Sequence, residues 1–170
     1  MSERIIKKIM IFGRPGSGKS VFALEISELL SLPLHHLDKY FFIDNWVKND
    51  YEKFLDLQQE FVDGQEWIID GNNVSSLEMR YQKADLCLYF NYSKLLCLWR
   101  LFCRLFDKDK NIDDRASNCK ERVSWKFIKY MWRFDKCVRD SVEELRVKYS
   151  SVQFIEINNR KDLQELDFSL

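Results

Sequence analysis

Hydrophobic positions follow two rhythms along this chain. Residues 5–12 form an apolar run rich in Ile and broken only by Lys7 and Lys8, the pattern of a buried strand. Phe22, Ala23, Ile26, Leu29 and Leu30 then recur at helical spacing, and that helix stops before Pro33. Leu34-His35-His36-Leu37 predicts a short strand ending at Asp38. Tyr51, Phe54, Leu55, Leu57, Phe61 and Val62 predict a helix with Gly64 beyond its end. Trp67-Ile68-Ile69 is a third strand ending at Asp70, a short helix covers 76–82, and 86–90 is a fourth strand. Ser93 caps a helix running to about Phe106. Residues 107–118 are dominated by polar and charged side chains and read as a mobile loop. Helical patterns resume over 121–133 and 140–149, followed by a strand at 152–157 and a closing helix at 160–166.

Strands thus alternate with helices, which predicts an α/β domain spanning 1–170, with a five-stranded parallel sheet covered by helices on both faces. Right-handed crossovers put every strand's C-terminal end on one edge, where such sheets bind ligands. The segment 13–20, Asp38, Asp70 and Asn91 fall on that edge. Asp85 precedes its strand and belongs to the opposite one.

Composition changes this picture in one place. Of 170 residues only 5 are Gly and 2 are Pro, yet Gly13, Pro15, Gly16 and Gly18 fall within six positions. Backbone of an unusual shape is concentrated there. The net charge is zero, which gives no support to a polyelectrolyte partner. Residues 91–140 are nonetheless locally basic, with 13 Lys or Arg against 7 Asp or Glu. Five Cys without a CxxC spacing signal neither a disulfide framework nor a zinc site, and scattered thiols fit a cytoplasmic protein. The longest greasy stretch, 95–106, carries Arg100 and Arg104 and is too short and charged to span a membrane.

Gly13-Arg14-Pro15-Gly16-Ser17-Gly18-Lys19-Ser20 matches GxxxxGK[ST] at every fixed position, with a strand before and a helix after. Glycines let successive N–H groups turn toward an anion, and the helix N-terminus adds partial positive charge. This stretch, with Val21 behind it, is the predicted nucleotide site. Lys19 would reach the β- and γ-phosphates of ATP, and the Ser20 hydroxyl would ligate Mg²⁺. The loop resembles that of P-loop NTPases, and the chain length resembles the nucleotide- and small-molecule-kinase branch.

A narrower resemblance covers roughly residues 5–157. The phosphate loop, His36-Leu37-Asp38 followed by Trp46, Trp67-Ile68-Ile69-Asp70-Gly71-Asn72 and Leu95-Leu96-Cys97-Leu98-Trp99-Arg100 together resemble a bacterial family known as DNA topology modulation proteins. Arg122, paired with the aromatic helix from Trp125 to Trp132, adds to the likeness. These are adenylate-kinase-like P-loop proteins. The resemblance implies a three-layer sandwich with a helical lid-like insertion, placed at about 107–119. Two departures stand out. Asn73 occupies a position where the family usually has Tyr, and Arg115-Ala116-Ser117-Asn118-Cys119 looks shortened against the family's segment.

Magnesium chemistry calls for a carboxylate, and Asp70, ending an apolar strand, is the candidate. Asp38 is the candidate for binding an acceptor or taking a hydroxyl proton, as in the small-molecule kinases this chain resembles. Arg80, Arg100, Arg104, Arg115 and Arg122 are the candidates for stabilising charge on a transferring phosphoryl group, Arg115 and Arg122 flanking the polar loop. His35-His36 is expected to be strand packing plus an exposed neighbour. Trp99, Phe102, Phe106, Trp125, Phe127, Trp132 and Phe134 are expected to form interhelical core. Phe41, Phe42 and Trp46 line an acceptor pocket or cover the core. The expected activity is transfer of the γ-phosphoryl group of MgATP to a nucleotide or small hydroxyl acceptor. Alternatives are a regulatory nucleotide-binding protein acting on DNA, and a kinase homologue that binds nucleotide without transfer.

Overall fold

The N-terminal apolar run becomes the centre of a sheet. A computed structural model describes residues 6–43, 47–106 and 124–166. In chain order its elements are β1 (Lys8–Gly13), α1 (Lys19–Leu30), β2 (Leu34–His36), α2 (Leu37–Phe41), β3 (Phe42–Ile43), β4 (Val47–Lys48) and α3 (Tyr51–Asp63). Then follow β5 (Trp67–Asp70), α4 (Leu77–Tyr81) after a 3₁₀ turn at Val74–Ser76, β6 (Leu86–Phe90), α5 (Lys94–Phe106), α6 (Trp125–Lys148), β7 (Gln153–Ile157) and α7 (Arg160–Gln164).

Five strands make one sheet in the order β2-β5-β1-β6-β7. Every pairing in it is parallel. The three central strands are buried on both faces, which is why they read as continuous apolar runs. Their alternating side chains feed two cores. Met10, Phe12, Ile69, Cys87 and Tyr89 pack on one face with Phe54, Leu77, Phe134, Val138 and Val142. Ile9, Ile11, Ile68, Leu86 and Leu88 pack on the other with Ala23, Ile26, Cys97 and Leu101. The result is the three-layer α/β sandwich with a five-stranded parallel sheet that the sequence predicts.

The structure departs from sequence expectation in four places. The helices expected at 121–133 and 140–149 are a single 24-residue α6. Met131, Phe134, Val138, Val142 and Leu145 carry one buried stripe at three- and four-residue steps straight through the expected break. Residues after His36 form the short helix α2, so Asp38 is helical. A two-stranded antiparallel hairpin, β3 with β4, follows it. The aromatic set expected to be interhelical core is largely at the surface. Trp99 is 67% exposed and Trp125 80%, with Phe102 and Trp132 also exposed, while Phe134 is fully buried. α5 buries Cys97 and Leu101, four residues apart, which leaves Trp99 and Phe102 on its outer side.

Among the described residues no helix is long and apolar enough to cross a membrane. The expected lid-like loop, with Arg115, Cys119 and Arg122, lies outside the described residues, as does Trp46.

Candidate active site

The turn between β1 and α1 is held by bonds from its surroundings. The Gly13 N–H donates to Asn72 Oδ1 at 3.0 Å. The Arg14 N–H donates to the Phe90 carbonyl at 2.9 Å, and the Ser17 N–H to the Arg14 carbonyl at 3.1 Å. Arg100 Nη1 donates to the Ser17 carbonyl at 2.7 Å while its guanidinium lies over the Tyr92 ring, 5.0 Å from the centroid. Gly16 has φ +81°, and a Cβ there would sit 2.6 Å from the Cys97 carbonyl oxygen. A side chain at Gly16 is excluded by both backbone conformation and space.

What this scaffold leaves open is the start of α1. Among the described residues no backbone carbonyl takes up the N–H groups of Gly16, Gly18, Lys19, Ser20 or Val21. The cap residue is Gly18, which has no side chain to offer, and the first turn carries no acid. The other long helices are closed differently. Asp50 accepts from the Glu52 and Lys53 N–H groups at α3. Ser93 Oγ accepts from the Leu96 N–H at α5, and Ser124 from the Phe127 N–H at α6. The α1 end thus combines unsatisfied donors and dipole charge with the buried Lys19 at its first position, an arrangement suited to an anion. Val21 adds only its N–H, since its side chain is exposed. The Ser17 hydroxyl is buried without a hydrogen-bond partner among the described residues.

Asp70 lies beside this end. It closes β5 as a neighbour of β1, in register with Ile11, and is 3% exposed. Burial opposes its ionisation, yet the Lys19 ammonium, the His36 ring and the Ser20 hydroxyl outweigh this and hold the carboxyl below its ordinary value. Oδ2 is paired with His36 Nδ1 at 3.0 Å. Oδ1 is buried without a hydrogen-bond partner among the described residues. A buried ionised oxygen left without a donor, next to a Ser hydroxyl, fits a cation ligand. No cluster of three or more His, Cys, Asp or Glu gathers among the described residues. A divalent ion would therefore rest on Ser20 and Asp70, with phosphate and water oxygens completing its shell.

Asp38 is exposed on α2, just past the end of β2 on the same sheet edge. Its charge acts on Arg80 and on Tyr130 of α6. The Tyr130 hydroxyl is pushed up from its ordinary value by burial first and by Asp38 second. Phe41, one of the residues expected either to line an acceptor pocket or to cover the core, packs edge-on against Phe54 of α3 and thus takes the core role.

The arginines divide. Arg14 lies in the phosphate loop, but its side chain turns away from it into the protein. Nε donates to the Tyr92 carbonyl, Nη1 to the Met131 carbonyl, and Nη2 to Asn91 Oδ1, each at 3.0 Å. Nη2 also pairs with Asp135 of α6. Only its backbone belongs to the loop. Arg80 is wholly buried and donates to the Gly71 and Asn73 carbonyls at 2.9 and 2.8 Å, bracing the loop after β5, so it is not a phosphate ligand. Burial lowers its pKa to about 10. Arg100 braces the phosphate loop through its backbone, and Arg104 is half-buried on the same helix. Asp85 takes the Lys7 and Lys8 N–H groups at the opposite edge of the sheet, where its position before the strand put it.

Sequence reasoning missed His36. Neither histidine is exposed: His35 stacks on Phe61 with centroids 3.9 Å apart, and His36 is buried on Asp70. The available signal was position, since a residue ending β2 must lie beside whatever ends the neighbouring strand.

No family model matches the chain. No curated protein matches it either. Solved structures do. A shikimate kinase from Acinetobacter baumannii, in complex with shikimate, is similar with a TM-score of 0.59 and 15% identity, over 94% of this chain and 88% of that one. A gluconokinase from Sinorhizobium meliloti 1021 has a TM-score of 0.48 at 14% identity, over 84% of this chain and 98% of that one. A deoxyadenosine kinase from M.mycoides has 0.49 at 16%, over 95% and 92%. The first of these similarities gives the architecture a class: this is the P-loop kinase fold.

Proposed function

We propose that this protein is an ATP-dependent phosphotransferase acting on a small hydroxyl-bearing acceptor. The observation that carries the reading is the open α1 N-terminus, its unsatisfied N–H groups flanked by Lys19, Ser20 and the unpaired Asp70 oxygen. The matched GxxxxGK[ST] loop and the likeness to a kinase solved with shikimate support it. Likeness of the segments quoted above to DNA topology modulation proteins belongs to the same proposal.

In this reading the N–H groups of Gly16, Gly18, Lys19 and Ser20 cradle the phosphate chain. The Lys19 ammonium lies against the terminal phosphates and stabilises charge on the transferring group. Ser20 and Asp70 hold magnesium, which when bound neutralises the β- and γ-phosphate oxygens. Asp38, past β2 on the same edge, orients the acceptor and takes its hydroxyl proton as the oxygen attacks the γ-phosphorus and the bond to the β–γ bridging oxygen breaks, releasing ADP. Arg100 fixes the Ser17 carbonyl and so the shape of the cradle.

The test is a screen of MgATP with nucleosides, nucleoside monophosphates and small polyols, reading acceptor-dependent ADP release, on wild type and Lys19→Ala. Release with one acceptor class, and its loss in the variant, is the expected result. Unchanged ATP affinity and turnover in Lys19→Ala would sink the assignment.

A further inference from the structure

His36 and Asp70 are held together more tightly than their hydrogen bond alone requires. They are direct partners in the parallel β2–β5 register, at the ligand-binding end of both strands. One residue on, Leu37 seats against Gly71, where a Cβ would lie 2.6 Å from the Leu37 Cβ. Only a residue without a side chain lets the two strand ends close to this distance. His36 is 9% exposed and Asp70 3%, so neither polar group is served by bulk solvent.

An ionised carboxylate can only accept, so the His36 Nδ1 carries the hydrogen and donates it to Oδ2. One oxygen of Asp70 is thereby committed and the carboxylate plane fixed, while Oδ1 is left without a hydrogen-bond partner among the described residues, on a carboxylate that Ser20 neighbours. This is the arrangement in which a buried outer group orients a metal-ligating one.

We propose that His36 is a positioning residue that aims Asp70 Oδ1 at the magnesium of the bound nucleotide. The proposal rests on the reading of Ser20 and Asp70 as the magnesium holders. It concerns the placement of one oxygen and does not make His36 a catalytic residue, since its role is exerted through Asp70.

The experiment measures ADP affinity by calorimetry, with chelator and with saturating Mg²⁺, in wild type, His36→Leu and His36→Asn. Leu removes the donor; the Asn amide can replace the Nδ1–H. In wild type Mg²⁺ should tighten ADP binding. In His36→Leu that magnesium-dependent gain should shrink on the order of 10- to 100-fold, the range seen when outer-shell partners of a metal ligand are lost. Metal-free ADP affinity should stay at the wild-type level, and His36→Asn should restore most of the gain. Full retention of the gain in His36→Leu, or failure of Asn to restore it, would overturn the positioning role while leaving the magnesium reading standing. Equal loss of metal-free and magnesium-dependent affinity in His36→Leu would overturn it too, by showing general damage to the loop. No magnesium gain in wild type would remove the magnesium reading itself and the proposal with it.

Discussion

Arg14 offers the sharpest contrast between what its position suggests and what its side chain does. Sitting inside the phosphate loop, it is a candidate phosphate contact. In the structure it is 2% exposed and serves four acceptors, two in the turn after β6 and two on α6. Arg14→Met would keep most of the volume and remove every donor. Asp135, 18% exposed, would lose its closest cation and keep, among the described residues, Lys94 at 4.0 Å. The Tyr92 and Met131 carbonyls would lose their side-chain donor. Breaking a buried ion pair by deleting one partner costs roughly 3–5 kcal/mol. Partial exposure of Asp135 and the nearby Lys94 put the expected loss near the lower end, about 3 kcal/mol, out of a typical total stability of about 5–15 kcal/mol. With a urea slope of about 2 kcal/mol per molar, the unfolding midpoint should fall by roughly 1.5 M. Urea titration followed by far-ultraviolet circular dichroism measures this directly, and Arg14→Lys should recover only part, since a point charge cannot reach all four acceptors at once. A midpoint shift under about 0.5 M, with nucleotide affinity sharply reduced, would refute the structural assignment and return Arg14 to the phosphates.

Further outcomes follow from the same geometry. Gly16→Ala should be destabilised by about 1–3 kcal/mol from its positive φ alone, with more from the Cys97 carbonyl, and should lose nucleotide binding; a stable variant with wild-type ADP affinity would contradict the loop geometry. Burial, opposed by Arg80, pushes the Cys87 thiol up, and burial raises that of Cys97, so mass mapping of alkylation in the folded protein should find Cys103 and Cys137 labelled well before either. Because the folded Asp70 value lies below its ordinary one, its stabilising contribution is full above the ordinary carboxylate range and is lost as pH falls through the lowered value. The stability gap between nucleotide-free wild type and Asp70→Asn, followed by denaturant titration from pH 7 downward, should therefore narrow only on the acid side; a gap that widened there would reverse the sign. Arg100→Leu should weaken ADP binding several-fold with little change in the unfolding midpoint, checked by calorimetry beside urea titration, because the bond it removes shapes the cradle at the protein's edge.

Much of this protein is legible locally. The three central strands announce themselves by apolar runs, and the GxxxxGK[ST] loop declares its own backbone, because Gly is the residue that tolerates the required conformations. The edge on which Asp38 and Asp70 meet the loop follows from crossover handedness alone. Local patterns failed where a neighbour outside the window decided. Periodicity names a stripe without naming which stripe finds a partner, and α5 buries Cys97 and Leu101 rather than Trp99. Charged residues between the buried positions of α6 interrupt its apolar pattern along the chain, while its buried stripe runs unbroken in the fold.

Sequence alone therefore determined the sheet strands, the Gly-rich loop and the sheet edge on which the candidate site lies, all properties of short segments and chain handedness. Tertiary structure alone decided which side chains those segments present to one another. His36 meets Asp70 across 34 residues, and Arg14 meets Asp135 across 121. Both pairings depend on strand order and on the path of α6 over the sheet. A polar group drawn out of water must find its partner wherever the fold has placed one, and no window along the chain contains that information.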